Sequence, residues 1–127
     1  MPAEPEVDPQ ATAGDDGVVI VLLTGPSGEE LQQMATRLVE ERLAACVNIL
    51  PGVTSVYRWK GGIERGSEAL GIVKTARALI ERLQARVLQM HPYEVPEVLV
   101  IEATGGSRDY LDWVLDSVSS RSDDGAA

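Results

Sequence analysis

Hydrophobic residues follow two different spacings in the first third of the chain, and each spacing predicts an element. Val18 to Thr24 is a continuous apolar run that is too short for a helix and suits a strand covered on both faces. Apolar residues at three- and four-residue spacing then predict a first helix that extends to about Ala45. Its start is marked by Ser27 and Glu30, whose spacing lets both side chains satisfy free amides of the first turn.

From Cys46 to Val73 the pattern becomes alternating and β-branched, which predicts two long strands. Gly61-Gly62 lies between them and can take the positive φ angles of a two-residue hairpin turn. An arm of about twelve residues reaches roughly 40 Å, so the hairpin should overhang the shorter helices. In the absence of a β-bulge, this turn places a mixed set of side chains on one sheet face: Ser55, Tyr57, Trp59, Glu64, Glu68, Leu70, Ile72 and Lys74.

The rest of the pattern predicts a helix, a strand and a final helix. Thr75 is the expected cap of the second helix, and Pro92 ends it because proline forces the preceding residue out of helical geometry. Val98 to Ala103 is the expected fourth strand, and Ser107 starts a short terminal helix. The order βαββαβ with an added helix predicts an α+β, ferredoxin-like sandwich of four antiparallel strands with two helices on one face.

This fold leaves the second sheet face and the hairpin overhang uncovered. The chain has no phenylalanine, so its interior is aliphatic and its five aromatic residues are available for other roles. Aromatic side chains are common anchors of subunit contacts, and pairing between copies removes free sheet edges. We therefore expect self-association, in which the rings line a ligand pocket, a subunit contact or a pocket between subunits: Tyr57, Trp59, Tyr93, Tyr110 and Trp113.

Charge is concentrated at the two ends of the chain. Residues 1–17 and 121–127 carry −5 and −1 of the formal net charge of −9, which leaves −3 for a single domain over residues 18–120. Both ends are predicted to be disordered tails. The domain has no clustered basic face for nucleic acid and no apolar run long enough to span a membrane. With the single Cys46 and no signal-peptide pattern, a cytoplasmic location is expected.

Residues 90–97 concentrate the candidate chemistry, because they hold the only histidine and two carboxylates. His91, Glu94 and Glu97 are the candidate metal ligands. A stable site usually needs three or four ligands, and a lone histidine at a helix end also serves in capping and packing. Glu68 and Lys74 fit an acid and base pair or an ion pair within or across subunits. No nucleophile, base and orienting group can be assembled, so no catalytic residue and no required cofactor is predicted.

A set of motifs lies in order over Val18 to about Val118: Glu40-Glu41-Arg42-Leu43-Ala44-Ala45-Cys46-Val47-Asn48-Ile49, Ser55-x-Tyr57-x-Trp59-x-Gly61, Glu68, Lys74-Thr75, His91-Pro92-Tyr93-Glu94-x-Pro96-Glu97 and Tyr110-Leu111-x-Trp113. Together these motifs resemble the CutA family of divalent-cation tolerance proteins. The resemblance implies a ferredoxin-like fold related to the PII signalling proteins, a stable homotrimer formed through strand-to-strand contacts, no established catalytic activity, and an association with tolerance to metals such as copper.

The chain departs from some bacterial members at two positions. Those members have a cysteine and a second histidine, put forward as copper ligands, where this chain has Leu23 and Met90. Leucine cannot ligate, so His91, a soft thioether and nearby carboxylates remain. The first hypothesis is a non-catalytic homotrimer in the response to divalent metals, binding copper weakly, with inter-subunit clefts lined by Tyr57, Trp59, Glu68, Lys74, Tyr93, Tyr110 and Trp113. The alternatives are a PII-like module that binds a small anionic metabolite at the same clefts and, last, a hydrolase using His91.

Overall fold

A computed structural model describes residues 17–119 of the chain. The tails predicted at residues 1–17 and 121–127 lie outside this range, apart from Gly17. The elements follow the predicted order, with a short 3-10 turn over Arg77–Leu79 before the second helix: β1 Val18–Gly25, α1 Gly28–Glu40, β2 Cys46–Trp59, β3 Gly62–Ala76, α2 Ile80–Met90, β4 Val98–Glu102 and α3 Arg108–Val118. No helix among the described residues is long and apolar enough to cross a membrane.

The four strands form one antiparallel sheet in the order β2-β3-β1-β4. The two long strands β2 and β3 are neighbours, while β1 lies between β3 and β4, so helices α1 and α2 each connect strands that are not adjacent. This is the ferredoxin-like topology that the sequence predicts, and the prediction of fold class is confirmed.

The core lies between one sheet face and helices α1 and α2. Alternate residues of β1 point into it, and Val19, Val21 and Leu23 are almost fully buried, as expected for a period of two along a strand. Leu31 of α1 packs closely on the sheet, since a Cβ added at Gly71 would lie 3.2 Å from its Cδ2 atom. A larger residue than glycine would therefore require the Leu31 side chain to shift by a few tenths of an ångström.

Helix α1 ends at Glu40, five residues before the predicted end at Ala45. The chain leaves the helix through Arg42, whose φ of 58° is left-handed. Leu43 N–H donates to the carbonyl of Leu38 at 2.9 Å, and Arg42 N–H donates to the carbonyl of Val39 at 3.1 Å. These two backbone hydrogen bonds are the pattern of a Schellman cap. Glycine usually occupies this position, and its absence hid the helix end in the sequence.

The predicted cap of the second helix is wrong. Thr75 belongs to strand β3 and is fully buried, and its hydroxyl donates to the Leu43 carbonyl at 2.7 Å. The strand continues to Ala76, which precedes the 3-10 turn without any side-chain cap. Thr75 therefore satisfies a carbonyl of the α1 to β2 connection instead of starting a helix.

The hairpin turn lies one residue earlier than predicted. Lys60 and Gly61 take φ angles of 50° and 84°, and Trp59 pairs with Gly62. Moving the turn by one residue shifts the partner of each β2 residue by two positions along β3. Because side chains alternate between faces with a period of two, Tyr57 and Glu64 still share a face, as predicted. A register shift between Leu50 and Val53 shows that β2 does contain the bulge that the prediction set aside.

The sheet face opposite the helices, which we call the open face, is apolar over strands β1, β3 and β4 and the first part of β2. Its members alternate with the core residues along each strand. Leu99 is 54% exposed, while Leu50 and Ile101 are each 45% exposed. The other apolar members are half-buried: Ile20, Leu22, Leu70 and Ile72.

Helix α3 packs at the end of the sheet where β1 begins. Ser107 caps it as predicted, accepting the Tyr110 N–H at 3.2 Å. Leu111 and Val114 bury against Val18 in a small cluster of their own, whereas Trp113 points elsewhere, as predicted, and is 47% exposed.

Candidate functional site

Helix α2 stops at Met90, and the next seven residues, 91–97, form a loop that leads into β4. His91 ends the helix with an extended ψ of 136° while its N–H still donates to the Val87 carbonyl at 2.8 Å. Pro92 requires this extended geometry of the residue before it. The predicted end of the helix at Pro92 is confirmed, and the loop starts from a fixed direction.

His91 is buried and uses both ring nitrogens. Its Nε2 lies 2.6 Å from the carbonyl oxygen of Thr24, and its Nδ1 accepts the N–H of Tyr93 at 3.1 Å. A carbonyl only accepts and an amide N–H only donates, so the ring is neutral with its proton on Nε2. Neither nitrogen presents a lone pair to solvent, and the imidazole ties strand β1 to the loop.

Tyr93 links the same loop to strand β3. Its hydroxyl donates to the Glu68 carboxylate at 2.8 Å, and its ring centre lies 4.5 Å from that of His91. Burial of the phenol, followed by the bond to Glu68, raises the pKa of Tyr93. Tyr93 therefore stays protonated and acts as a hydrogen-bond donor.

Glu94 and Glu97 are exposed on the 91–97 loop. Partial burial, with the nearby Glu68 as a second cause, raises the pKa of Glu97. Over residues 17–119 the structure contains no group of three or more histidine, cysteine or acidic side chains arranged to hold a metal ion. Metal binding by His91, Glu94 and Glu97 stays a prediction. The imidazole of His91 is bonded to backbone groups of Thr24 and Tyr93.

Glu68 and Lys74 do not pair within one chain. Both lie on β3, six residues apart, which corresponds to about 20 Å along a strand. Lys74 lies opposite Ile20 on one side and Cys46 on the other, and its ammonium donates to Asn48 Oδ1. An ion pair between them requires two copies of the chain.

The other predicted cleft residues fall into separate groups in the protomer. Tyr57 lies near enough to Tyr93 and Glu68 to act on the phenol electrostatically. Trp59 is at the hairpin tip, where Lys60 Nζ lies 5.6 Å from its ring centre. Tyr110 and Trp113 pair on α3 with ring centres 5.6 Å apart, and burial followed by the charge of Cys46 raises the pKa of Tyr110. The predicted cleft residues of one protomer thus lie at both ends of its sheet.

Sequence reasoning missed a cleft of about 400 Å³ between α1 and α2. One of its lining residues, Arg86, is held in place by Glu41 at 2.8 Å and 3.0 Å. This bidentate bond, together with the charge of Arg86, lowers the pKa of Glu41. The signal in the sequence is that the two facing helices carry the same three residue types within one turn, although in a different order: Gln33, Met34 and Arg37 on α1 and Arg86, Gln89 and Met90 on α2.

Comparison with known proteins matches residues 19–117 to the family model described as CutA1 divalent ion tolerance protein. The divalent-cation tolerance protein CutA of Thermus thermophilus is 48% identical over 98 residues, which cover 77% of this chain and 95% of that protein. The chloroplastic protein CutA of Arabidopsis thaliana is 46% identical over 99 residues, which cover 78% of this chain and 54% of that longer protein.

Two solved structures show the same similarity in three dimensions. The divalent cation tolerance protein of Thermus thermophilus superimposes with a TM-score of 0.75 at 48% identity, covering 76% of this chain and 94% of that one. The CutA1 protein of Oryza sativa superimposes with a TM-score of 0.78 at 39% identity, covering 81% of this chain and 94% of that one.

Proposed function

Because the chain belongs to the CutA1 divalent ion tolerance family, we propose that it is a non-catalytic homotrimer that acts in the response to divalent metal ions. The observation that carries this proposal is the match over residues 19–117, which spans nearly all the described fold. The fold, the order of motifs and the length of the hairpin all agree with membership.

The proposed homotrimer is supported by the open face. Leu50, Leu99 and Ile101 are exposed there, beside four half-buried aliphatic residues. A contiguous apolar face of this kind marks an interaction surface in a water-soluble protein. Both outer strands, β2 and β4, also have unpaired edges, which association between copies can cover.

The proposed copper binding is weak. Copper ligation by His91 requires the imidazole to give up its bond to Thr24 or to Tyr93, since a metal needs a nitrogen lone pair. Glu94 and Glu97 offer exposed carboxylates on the same loop, which are hard ligands that bind copper less selectively than imidazole. The structure thus supports transient contact with metal ions more than a permanent centre.

Calorimetric titration of the pure protein with Cu²⁺ tests the metal proposal. We expect a weak binding isotherm that the double substitution Glu94→Gln and Glu97→Gln weakens further. His91→Ala reports whether the ring joins the site, and Glu81→Gln with Glu40→Gln is the control, since both carboxylates are exposed on helices outside the loop. Copper binding that is unchanged in all three variants would reject the 91–97 loop as the site.

The alternative of a PII-like module that binds a small anion rests on Lys74, the one basic residue placed among the apolar residues of the open face over the described part of the chain. Its ammonium donates to a neutral amide rather than to a carboxylate. Thermal-shift measurements with nucleotides test this alternative, and absence of any stabilisation by them would reject it.

A further inference from the structure

The outer part of the hairpin, residues 53–67, is an unpartnered two-stranded sheet that we call the arm. Both of its faces are exposed, with Val56 at 59% and Ile63 at 55% on one side and Tyr57 at 46% on the other. The arm runs about 20 Å from Val53 to Trp59. An isolated two-stranded ribbon is marginally stable in water, so a covering surface is expected.

The arm has the opposite charge from the rest of the fold. It contains three cations and one carboxylate, a net charge of +2, whereas the remaining described residues carry −5. Arg58 lies opposite Ile63, and Arg65 lies opposite Val56. These four side chains share the face that continues the helix-covered side of the sheet. That face is basic and apolar, and it contains no acid.

A surface of complementary charge lies around Tyr93. It consists of Glu68, Glu94 and Glu97, which we call the loop patch. Over residues 17–119 none of these three carboxylates forms an ion pair with a lysine or arginine. Glu97 is influenced by burial and by another carboxylate, without a compensating cation. The Glu68 and Glu97 carboxylates therefore repel each other, and an incoming guanidinium would relieve that repulsion.

We propose that the basic face of the arm of one copy docks on the loop patch of the next copy, with Arg58 and Arg65 facing Glu94 and Glu97. This inference rests on the proposed homotrimer and names the contact that sets its order. Each chain carries both surfaces, and the contact is heterologous, which is the kind of interface that closes into a ring when the rotation allows it. Arginine suits the role because its planar fork binds carboxylates with two bonds.

Charge reversal tests the contact. The arm variant carries Arg58→Glu and Arg65→Glu, the patch variant carries Glu94→Arg and Glu97→Arg, and a fourfold variant combines them. The control variant carries Arg82→Glu and Arg108→Glu, two exposed arginines on helices. Subunit exchange between isotopically labelled and unlabelled protein, followed by native mass spectrometry, gives the rate at which copies separate. Circular dichroism verifies that each variant is folded.

We expect the arm and patch variants to exchange subunits about tenfold faster or more than the wild type, because substitutions in an interface act mostly on its dissociation rate. The fourfold variant should return to within about threefold of the wild-type rate. Arm and patch variants that exchange like the control, while remaining trimeric, would overturn the docking contact and leave the homotrimer standing. A fourfold variant that stays fast would overturn the pairing of these two surfaces, and a monomeric wild type would overturn the homotrimer itself.

Discussion

Arg42 affects the stability of the fold in two opposite ways, through its left-handed backbone and through a hydrogen bond of its side chain. A residue with a Cβ at φ 58° costs about 1 kcal/mol relative to glycine at the same position. The Arg42 side chain offsets this cost, since its Nη1 donates to the Ser117 carbonyl at 2.8 Å in the last turn of α3. A charged donor on a helix C-terminus is worth about 1 to 3 kcal/mol when partly buried.

Two substitutions separate these contributions. Arg42→Ala keeps the strained backbone and loses the side chain, so we expect the free energy of unfolding to fall by about 1 to 3 kcal/mol. Arg42→Gly loses the same side chain but removes the strain, so it should be about 1 kcal/mol more stable than Arg42→Ala. Guanidinium denaturation at one fixed protein concentration measures both values, which is required because stability depends on concentration in an oligomer.

The difference between the glycine and alanine variants is the decisive quantity. Equal stability of the two, or a less stable glycine variant, would show that the left-handed position carries no strain, and the account of the α1 end would be refuted. An alanine variant as stable as the wild type would refute the role of the bond to Ser117. The unfolding slope with denaturant should be the same for all three proteins.

Three further predictions follow from single contacts. Leu99→Asp on the open face should convert the assembly to monomers in size-exclusion chromatography. The control Leu88→Asp changes a leucine of similar exposure, 57%, on α2 and should leave the assembly intact. Equal behaviour of the two variants would contradict a role for the open face. Thr75→Val should lower the free energy of unfolding by about 1 to 3 kcal/mol because it leaves the Leu43 carbonyl without its donor. The control Thr36→Val removes an exposed hydrogen bond and should change the free energy of unfolding by less than about 0.5 kcal/mol. Similar losses in the two variants would refute the role of the buried bond from Thr75 to Leu43. Because the pKa of Tyr93 is raised, the stability that its protonated form provides is present at neutral pH and is lost only as pH rises above the ordinary tyrosine range. In an ultraviolet titration, Tyr93→Phe should remove the phenol that ionises last. Loss of a phenol that ionises near pH 10 would contradict the bond to Glu68.

The elements that the sequence predicts well are those with long, regular patterns. Alternate residues of the apolar run from Val18 face the same core as the stripe of α1, so their spacing carries the fold directly. The proline at position 92 and the serines at positions 27 and 107 act locally, and each does in the structure what its chemistry predicts. The ferredoxin-like order then follows from the sequence of helices and strands.

The misplaced features depend on contacts between distant residues. Thr75 has the right chemistry for a cap, but its hydroxyl is taken by a carbonyl 32 residues away. Gly61-Gly62 offers two equivalent turn positions, and the register of β2 and β3 selects Lys60 and Gly61. Nothing in the local sequence distinguishes these alternatives, since a distant carbonyl decides the first and the pairing of two strands decides the second.

In the candidate site, too, local features were predicted and contacts between distant residues were not. The density of special residues identified the 91–97 loop, and the structure brings His91, Tyr93 and Glu68 together there. The sequence did not reveal that backbone groups of Thr24 and Tyr93 occupy the imidazole, because Thr24 is 67 residues away. It also allowed Glu68 and Lys74 to pair within one chain, which a single strand rules out by holding them six residues apart, whereas their pairing across subunits stays a prediction.

We infer that two further copies of the chain bury the open face. Light scattering coupled to size exclusion, at micromolar protein concentration, measures the number of copies. We expect a molar mass of three times the 13.6 kDa of one chain across the whole peak. A folded species with the mass of one chain would show that the open face stays uncovered.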